Sequence, residues 1–523
     1  MTNKRASNIT WTVAGLMLAL LLAALDQTIV STAMPTILGE LGGLEQFVWV
    51  FSAYLIANVV AMPIFGKLGD MYGRKLFFMI GLIVFMVGSA LCGTAETMLQ
   101  LIIYRAVQGI GGGALMPITF AIVFDIFPPE KRGKMQGLFG AVFGISSVLG
   151  PLAGAYFTDY VNWQWIFYIN LPLGVIAFIL IALFYHPALP SNPNQRVDWL
   201  GTLVFGASVI SLMLGLELGG KEGYPWASVT IIGLFAATVA LFVLFLLVEK
   251  KAVSPIVPLH LFRKRLFTAN MGMSFFYGAL MISAATYIPL YIQGVFQGTA
   301  TASGLVLTPM MLGVVASSMI GGRFIGKTSY RSIMLVSVSM LLVATVLLGT
   351  LTTDTPRWLV TMYMIMLGLS IGTSFPVVSI SSVQSVSFEF RGVVTSLTTF
   401  FRSIGSAVGV TILGMVQSYA LNDKLRESMN GSSDSAPVDP HVLLSEQFRA
   451  SVPKPVMDQL IMGLAESIAF VFQVSISMAA AAFLFVLLMG NARLELSSNS
   501  KDHAGRPSKD DNDDTHGSQL GSL

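Results

Sequence analysis

The chain has 523 residues, of which 54% are hydrophobic and only 11% charged, with a net charge of +3, and its mean hydropathy of +0.75 lies far above that of soluble domains. This excludes a water-soluble enzyme, points to the lipid bilayer as the solvent, and leaves no strongly basic face for nucleic acid. The single cysteine, Cys92, cannot form an internal disulfide, and His186, His260, His441, His503 and His516 are scattered without ligand spacing, so neither a metal site nor a cofactor is expected.

Apolar runs of about 20 residues, the length that crosses a bilayer, fall in chain order at 11–33, 47–65, 78–96, 98–123, 134–157, 165–185, 199–219, 226–248, 270–293, 302–325, 332–351, 357–381, 393–417 and 465–489. With so little polar sequence between them, each run must satisfy its own backbone groups, which predicts helices rather than barrel strands. The first run follows Lys4 and Arg5 as a signal peptide would, but it is long and carries Asp26; it reads as a retained helix.

An ionisable group inside a span is a functional candidate by default. Asp26 lies about two thirds of the way along the first span. Arg105 lies at similar depth in the fourth, which runs the opposite way, so the two can pair or compete for a shared cavity. Such a pair is either a static tie between helices or a switch whose carboxylate is protonated according to what occupies the cavity. After the second span comes "GKLGDMYGRKLFF", where Gly66, Gly69 and Gly73 permit close approach and a tight turn, Asp70 can cap or pair, and Arg74 and Lys75 lie at the membrane face. The fourth span continues "RAVQGIGGGALMP", with Gln108 and a glycine run one turn beyond Arg105. In the fifth, "GISSVLGPLAGAYF", Gly150, Pro151 and Gly154 weaken or bend the helix and admit a neighbour. Singly, each glycine cluster fits ordinary membrane packing; together and in this order they are more specific.

The connection "HPALPSNPNQRVD" then leads to a tight pair of spans, and "EKKAVSPIVPLHLFRKR" to six more. The predicted organisation is a first bundle over 11–185, a linker with two spans over 186–268, and a second bundle over 269–490 that includes an external segment at 418–464. Residues 1–10 form a short N-terminus, and 491–523, rich in Ser, Asp and Gly, a disordered tail. This is an all-α integral membrane protein of two six-helix bundles and a two-helix central insertion, with the internal repetition that carriers use to alternate access. Most of the 30 Lys and Arg fall on the side of the two termini. The positive-inside rule therefore makes both termini cytoplasmic, in a multi-pass protein of the cell membrane; compact loops and a single cysteine suit a bacterial inner membrane.

These motifs resemble the major facilitator superfamily, and specifically its fourteen-helix drug:proton antiporter branch. "LDQTIVSTAMPTI" looks like that branch's first-helix motif and "GKLGDMYGRK" like the superfamily's helix two to three signature. "RAVQGIGGG" is similar to the helix-four motif, "LGPLAGAYF" to the antiporter helix-five motif, "WQWIFYINLPLG" to the segment after it, and "FEFRGVVTSLTTFFRSIGSAVGV" to the penultimate region. The resemblance covers residues 11–490. It implies that Asp26 is the protonatable, substrate-facing acid and Arg105 the coupling residue. It makes Gly66, Asp70, Gly73 and Arg74 a conformational latch, and Gly150, Pro151 and Gly154 the antiporter hinge. Two departures stand out: Ala155 replaces a second glycine of the helix-five motif, which marks antiport less sharply against symport, and the tenth span carries no acid. The second favours monovalent over divalent lipophilic cations.

"GGRFIGKTSY", residues 321–330, matches the nucleotide-cradling pattern G-x-x-x-x-G-K-[ST], but that loop needs a strand and helix of a nucleotide domain. No ATP is expected. Aligned from Gly322 on "GKLGDMYGRK", the stretch repeats the latch in degenerate form, with Gly326 in place of Asp70.

Tyr54, Asn58, Met116, Phe276 and Tyr277 are the chosen cavity-lining residues, drawn from a wider aromatic and methionine set with Phe275, Tyr287, Met310, Met311, Phe400 and Phe401. Such surfaces adapt to varied apolar shapes and attract cations, although many of them would equally serve helix packing. The expectation is a proton-coupled exporter of amphiphilic or cationic small molecules, whose partners are the drug, protons and the lipid bilayer. The alternatives are a selective exporter of one tetracycline-like antibiotic, siderophore or metabolite, and a membrane receptor or scaffold. An enzyme is disfavoured, because the spans offer no clustered histidines, paired carboxylates or nucleophile with a base. Spans seven and eight have no derivable role, although Glu217 and Glu222 near their outer turn could attract cations.

Overall fold

The computed structural model describes residues 8–43, 46, 48–186, 197–220, 224–298, 300–384, 386–428 and 454–493. The first bundle consists of α1 (Ile9–Leu41), α2 (Val48–Tyr72), α3 (Arg74–Gly93), α4 (Met98–Ile126), α5 (Pro129–Tyr160), the short α6 (Trp165–Tyr168) and α7 (Asn170–Phe184). A hairpin of α8 (Trp199–Leu218) and α9 (Val229–Lys251) follows. The second bundle contains α10 (Arg265–Gly294), α11 (Ala300–Phe324), α12 (Tyr330–Leu348), α13 (Arg357–Gln384), α14 (Arg391–Ser428) and α15 (Lys454–Leu488). Counting α6 and α7 as one, 14 helices among the described residues are long and apolar enough to cross a membrane. An even number of these helices places the start of α1 and the end of α15 on one face, the terminal face below.

Local chemistry sets the helix boundaries. Thr97, Asp198, Ser228 and Ser329 each accept a hydrogen bond from an amide three residues on, supplying N-caps to α4, α8, α9 and α12. Gly73, at φ 106°, reverses the chain between α2 and α3, a conformation that costs other residues dearly. Helix interiors keep prolines such as Pro63, Pro117, Pro151 and Pro376 without ending, as membrane helices tolerate.

Glycines carry the tight packing within the first bundle. A Cβ on Gly111 would lie 2.6 Å from the Gly81 carbonyl of α3, while one on Gly113 would lie 2.7 Å from Ala61 of α2. The glycine run therefore lets α4 sit between two neighbours at backbone distance. The α8–α9 hairpin lies against both bundles, with Gly206 beside Val60 of α2 and Phe205 5.3 Å from Phe400 of α14, ring centre to ring centre.

α14 and α15 both run into the segment expected to be an external loop at 418–464, and Lys424 bridges Glu466 at 3.4 Å between the extensions. Charged side chains there broke the apolar pattern without ending the helices. The remainder of that loop, 429–453, the tail from 494 and residues 1–7 lie outside the described residues. The stretch Gly321–Thr328 closes α11 and forms a tight turn, with Gly326 at φ 91° and the Lys327 and Thr328 amides donating to the Phe324 carbonyl. It connects two membrane helices, with no preceding strand.

Candidate functional site

α1, α4 and α7 converge on one carboxylate. Asp26 is fully buried, and its two oxygens accept three hydrogen bonds: from Arg105 Nη1 at 2.5 Å, Gln108 Nε2 at 2.8 Å and Asn170 Nδ2 at 3.2 Å. Arg105 and Gln108 are one turn apart on α4 and so present to the same side; Nη1 also donates to Gln108 Oε1 at 2.8 Å. Arg105 Nε donates to the Val50 carbonyl of α2 at 3.3 Å, and its guanidinium lies 4.3 Å from the centre of the Tyr54 ring. Asn170 links the cluster to α3 by donating to Ser89 Oγ at 2.9 Å; Ser89 donates to the Phe167 carbonyl at 2.8 Å.

Every charge in this cluster is compensated inside one bundle. A buried ion pair deprived of one partner loses about 3–5 kcal/mol, so Asp26 and Arg105 hold each other in place while the other donors orient them. The predicted pairing of Asp26 with Arg105 is present. Asn170 and Ser89 were not singled out; the available signal was an Asn within the otherwise apolar "FYINLPLG".

Tyr54 and Asn58, one turn apart on α2, face the α4 glycines, where a Cβ on Gly112 would lie 2.7 Å from the Tyr54 hydroxyl and 2.8 Å from the Asn58 amide nitrogen. They adjoin the Asp26 cluster. Met116 sits farther along α4, packed against the first bundle's core. Phe276 and Tyr277 belong to the second bundle. The Tyr277 hydroxyl bonds Ser337 Oγ on α12 at 2.8 Å, and Phe276 packs 6.0 Å from Phe485 of α15. These three do not join the cluster.

The expected hinge residues lie beside it. A Cβ on Gly150 would lie 2.7 Å from Thr28 Cβ, and one on Gly154 2.9 Å from the Ile29 carbonyl. Thr28 Oγ1 donates across to the Ser146 carbonyl at 3.1 Å. α5 thus presses on the turn of α1 that follows Asp26, and it stays continuous through Pro151.

The expected latch residues meet at the terminal face. Asp70 accepts the Gly392 and Val393 amides at 2.9 and 2.8 Å, capping the N-terminus of α14 from the other bundle. Arg74 donates to Asp70 at 2.7 Å and to the Ala121 carbonyl at 3.2 Å, and pairs with Asp125 of α4. Asp125 was not among the expected residues; it lies just beyond the predicted fourth span, in the last turn of α4. Gly66 permits the close approach: a Cβ there would lie 2.6 Å from Ser396 Cβ and 2.9 Å from the Gly392 carbonyl. On the pseudo-symmetric side, Gly322 of α11 meets Gly133 of α5, where a Cβ would lie 2.6 Å from backbone, and Gly326 supplies no carboxylate. These contacts join the two bundles at the terminal face.

A cavity of about 620 Å³ lies near the opposite face, lined by Glu217, Trp226, Tyr287, Thr411 and Gln417 among others. It is separate from Asp26.

Residues 16–410 match the family model described as Major Facilitator Superfamily. Multidrug resistance protein 3 of Bacillus subtilis is 44% identical over 501 residues, covering 94% of this chain and 98% of the relative. The multidrug transporter protein MdtP of the same organism is 40% identical over 465 residues, 89% and 84% of the two chains. Among solved structures, a double-tryptophan variant of XylE superposes with a TM-score of 0.61 at 12% identity, covering 94% of this chain and 98% of its own. The human organic anion transporter MFSD10 gives 0.60 at 14% identity, covering 92% and 99%; both show a shared fold. Two bundles, an inserted hairpin, a charged contact between the bundles and relatives this similar over nearly the whole chain lead to one assignment: the chain belongs to the major facilitator superfamily.

Proposed function

We propose that the protein exports amphiphilic, chiefly monovalent cationic compounds in exchange for protons, with the terminal face cytoplasmic. The observation that carries this reading is the buried Asp26 carboxylate, held by Arg105 on a neighbouring helix and flanked by the α5 glycines. The multidrug names of relatives 44% and 40% identical support a broad substrate range.

A protonated Asp26 no longer matches the charge of Arg105, so the hydrogen bonds that tie α1 to α4 and α7 rearrange. Because α5 rests on the next turn of α1, that rearrangement reaches the packing of α5 against α11. Deprotonated Asp26 admits a cationic compound from the cytoplasmic side; protonation outside releases it, and the protonated carrier resets. One acid that holds either a proton or a drug couples the two fluxes.

The test is ethidium transport by the purified protein in proteoliposomes under an imposed pH gradient, with ATP and no gradient, and with neither. Transport under the gradient alone is expected, as is its loss in Asp26→Asn with the fold retained. Transport that needs ATP, or full coupled transport by Asp26→Asn, would overturn the proposal. Export of several unrelated dyes distinguishes a multidrug carrier from a selective one.

A further inference from the structure

The second bundle carries a charge that the exchange mechanism leaves unused. Arg402 lies 11 residues into α14 from Arg391, about 16 Å along the helix at 1.5 Å per residue, close to the bilayer midplane, where carriers of this architecture bind substrate. Its guanidinium stacks 3.9 Å from the centre of the Phe375 ring on α13, its Nη2 is buried with no hydrogen-bond partner, and no carboxylate pairs with it among the described residues. Ser403, the next residue, touches Met62 of α2, so Arg402 lies beside the seam between the bundles.

Among the described residues, no acid within its own bundle lies near that depth. α10, α11, α12 and α13 contain no Asp or Glu at all. Asp423 is 21 residues further along α14, about 30 Å away, and Glu466 of α15 pairs with Lys424 at that same far end. On the facing helices, Asp26 is engaged by Arg105, while Asp70 and Asp125 are engaged by Arg74 at the terminal face. Glu217 is at the far end of α8. A guanidinium keeps its charge, and an uncompensated charge at this depth is costly unless a partner arrives.

We propose that Arg402 recognises an acidic group, a carboxylate, on the carried compound, and that Phe375 beside it offers a ring for an aromatic scaffold to stack on. The carrier then takes zwitterionic amphiphiles as well as cations, with the acid at Arg402 of the second bundle. This rests on the export reading and extends its substrate class.

Equilibrium binding to the purified protein in detergent, with no gradient, tests the inference independently of coupling. The probes are rhodamine 110, which has a free carboxylate, and rhodamine 123, its methyl ester. Wild type is expected to bind rhodamine 110 at least as tightly as rhodamine 123. Arg402→Gln is expected to weaken rhodamine 110 by about tenfold or more, the worth of a charge-assisted hydrogen bond, and to leave rhodamine 123 within about twofold; Arg402→Lys should recover part of the loss. Equal weakening of both dyes, or unchanged rhodamine 110 binding, would overturn the inference. So would a wild type that binds only the ester, a comparison that needs no variant to fold.

Discussion

Asn170 is the residue whose role is most cheaply tested. It donates to both Asp26 and Ser89, so Asn170→Ala leaves two buried oxygens each short of a donor, a cost of about 1–3 kcal/mol. A melting temperature lowered by a few degrees in detergent, with slowed ethidium export, is the expected result; unchanged stability would remove Asn170 from the cluster. Asp26 and Arg105 were legible in the sequence because charges stand out in apolar spans and the opposite course of two helices sets their depth. Asn170 was not, because an uncharged amide 144 residues from its partner differs little from any polar residue near a helix end. Phe276 and Tyr277 show a further limit. In a helix apolar on every side, periodicity does not say which side faces a cavity, and in the fold Tyr277 points into its own bundle.

At the scale of elements, α2 and α14 are joined at the terminal face by a side chain that caps a helix it does not belong to. Of the glycines of the helix two to three stretch, which announced close approach, Gly66 is the one that meets the second bundle, at the first turns of α14. That partner was invisible in the sequence because it lies 322 residues away. Removing the cap with Asp70→Ala costs about 1–2 kcal/mol and shifts the closed face toward opening by about tenfold. A cysteine introduced at Ser403, in a chain whose own Cys92 is buried, should then react with a maleimide about tenfold faster than in the parent; an equal rate would show that the cap does not hold the face shut. The apolar spans themselves were easily read, because a bilayer leaves few alternatives to a helix. The ends of α14 and α15 were not, because helices continue into water wherever their side chains pair.

Viewed whole, the molecule is a near-repeat whose two seams differ. One joins α2 to α14 through a carboxylate; the other joins α5 to α11 through bare backbone at Gly133 and Gly322. Gly322→Val leaves no room for the second seam and should abolish export while the protein remains folded. Gly304→Ala on the same helix, with open space around the new methyl, should export normally; equal activity of the two variants would show that the close contact is dispensable. The charged seam bears on speed as well as on strength. When α14 moves away, Asp70 gives up two amides but keeps Arg74, which is itself held by Asp125 and a carbonyl of its own bundle. Water replaces the amides, and no bare charge is left behind. Opening therefore leaves no uncompensated buried charge, the state that makes a buried ion pair costly to break, so this gate is expected to be firmly shut at rest and still cycle quickly enough for its turnover to be limited elsewhere.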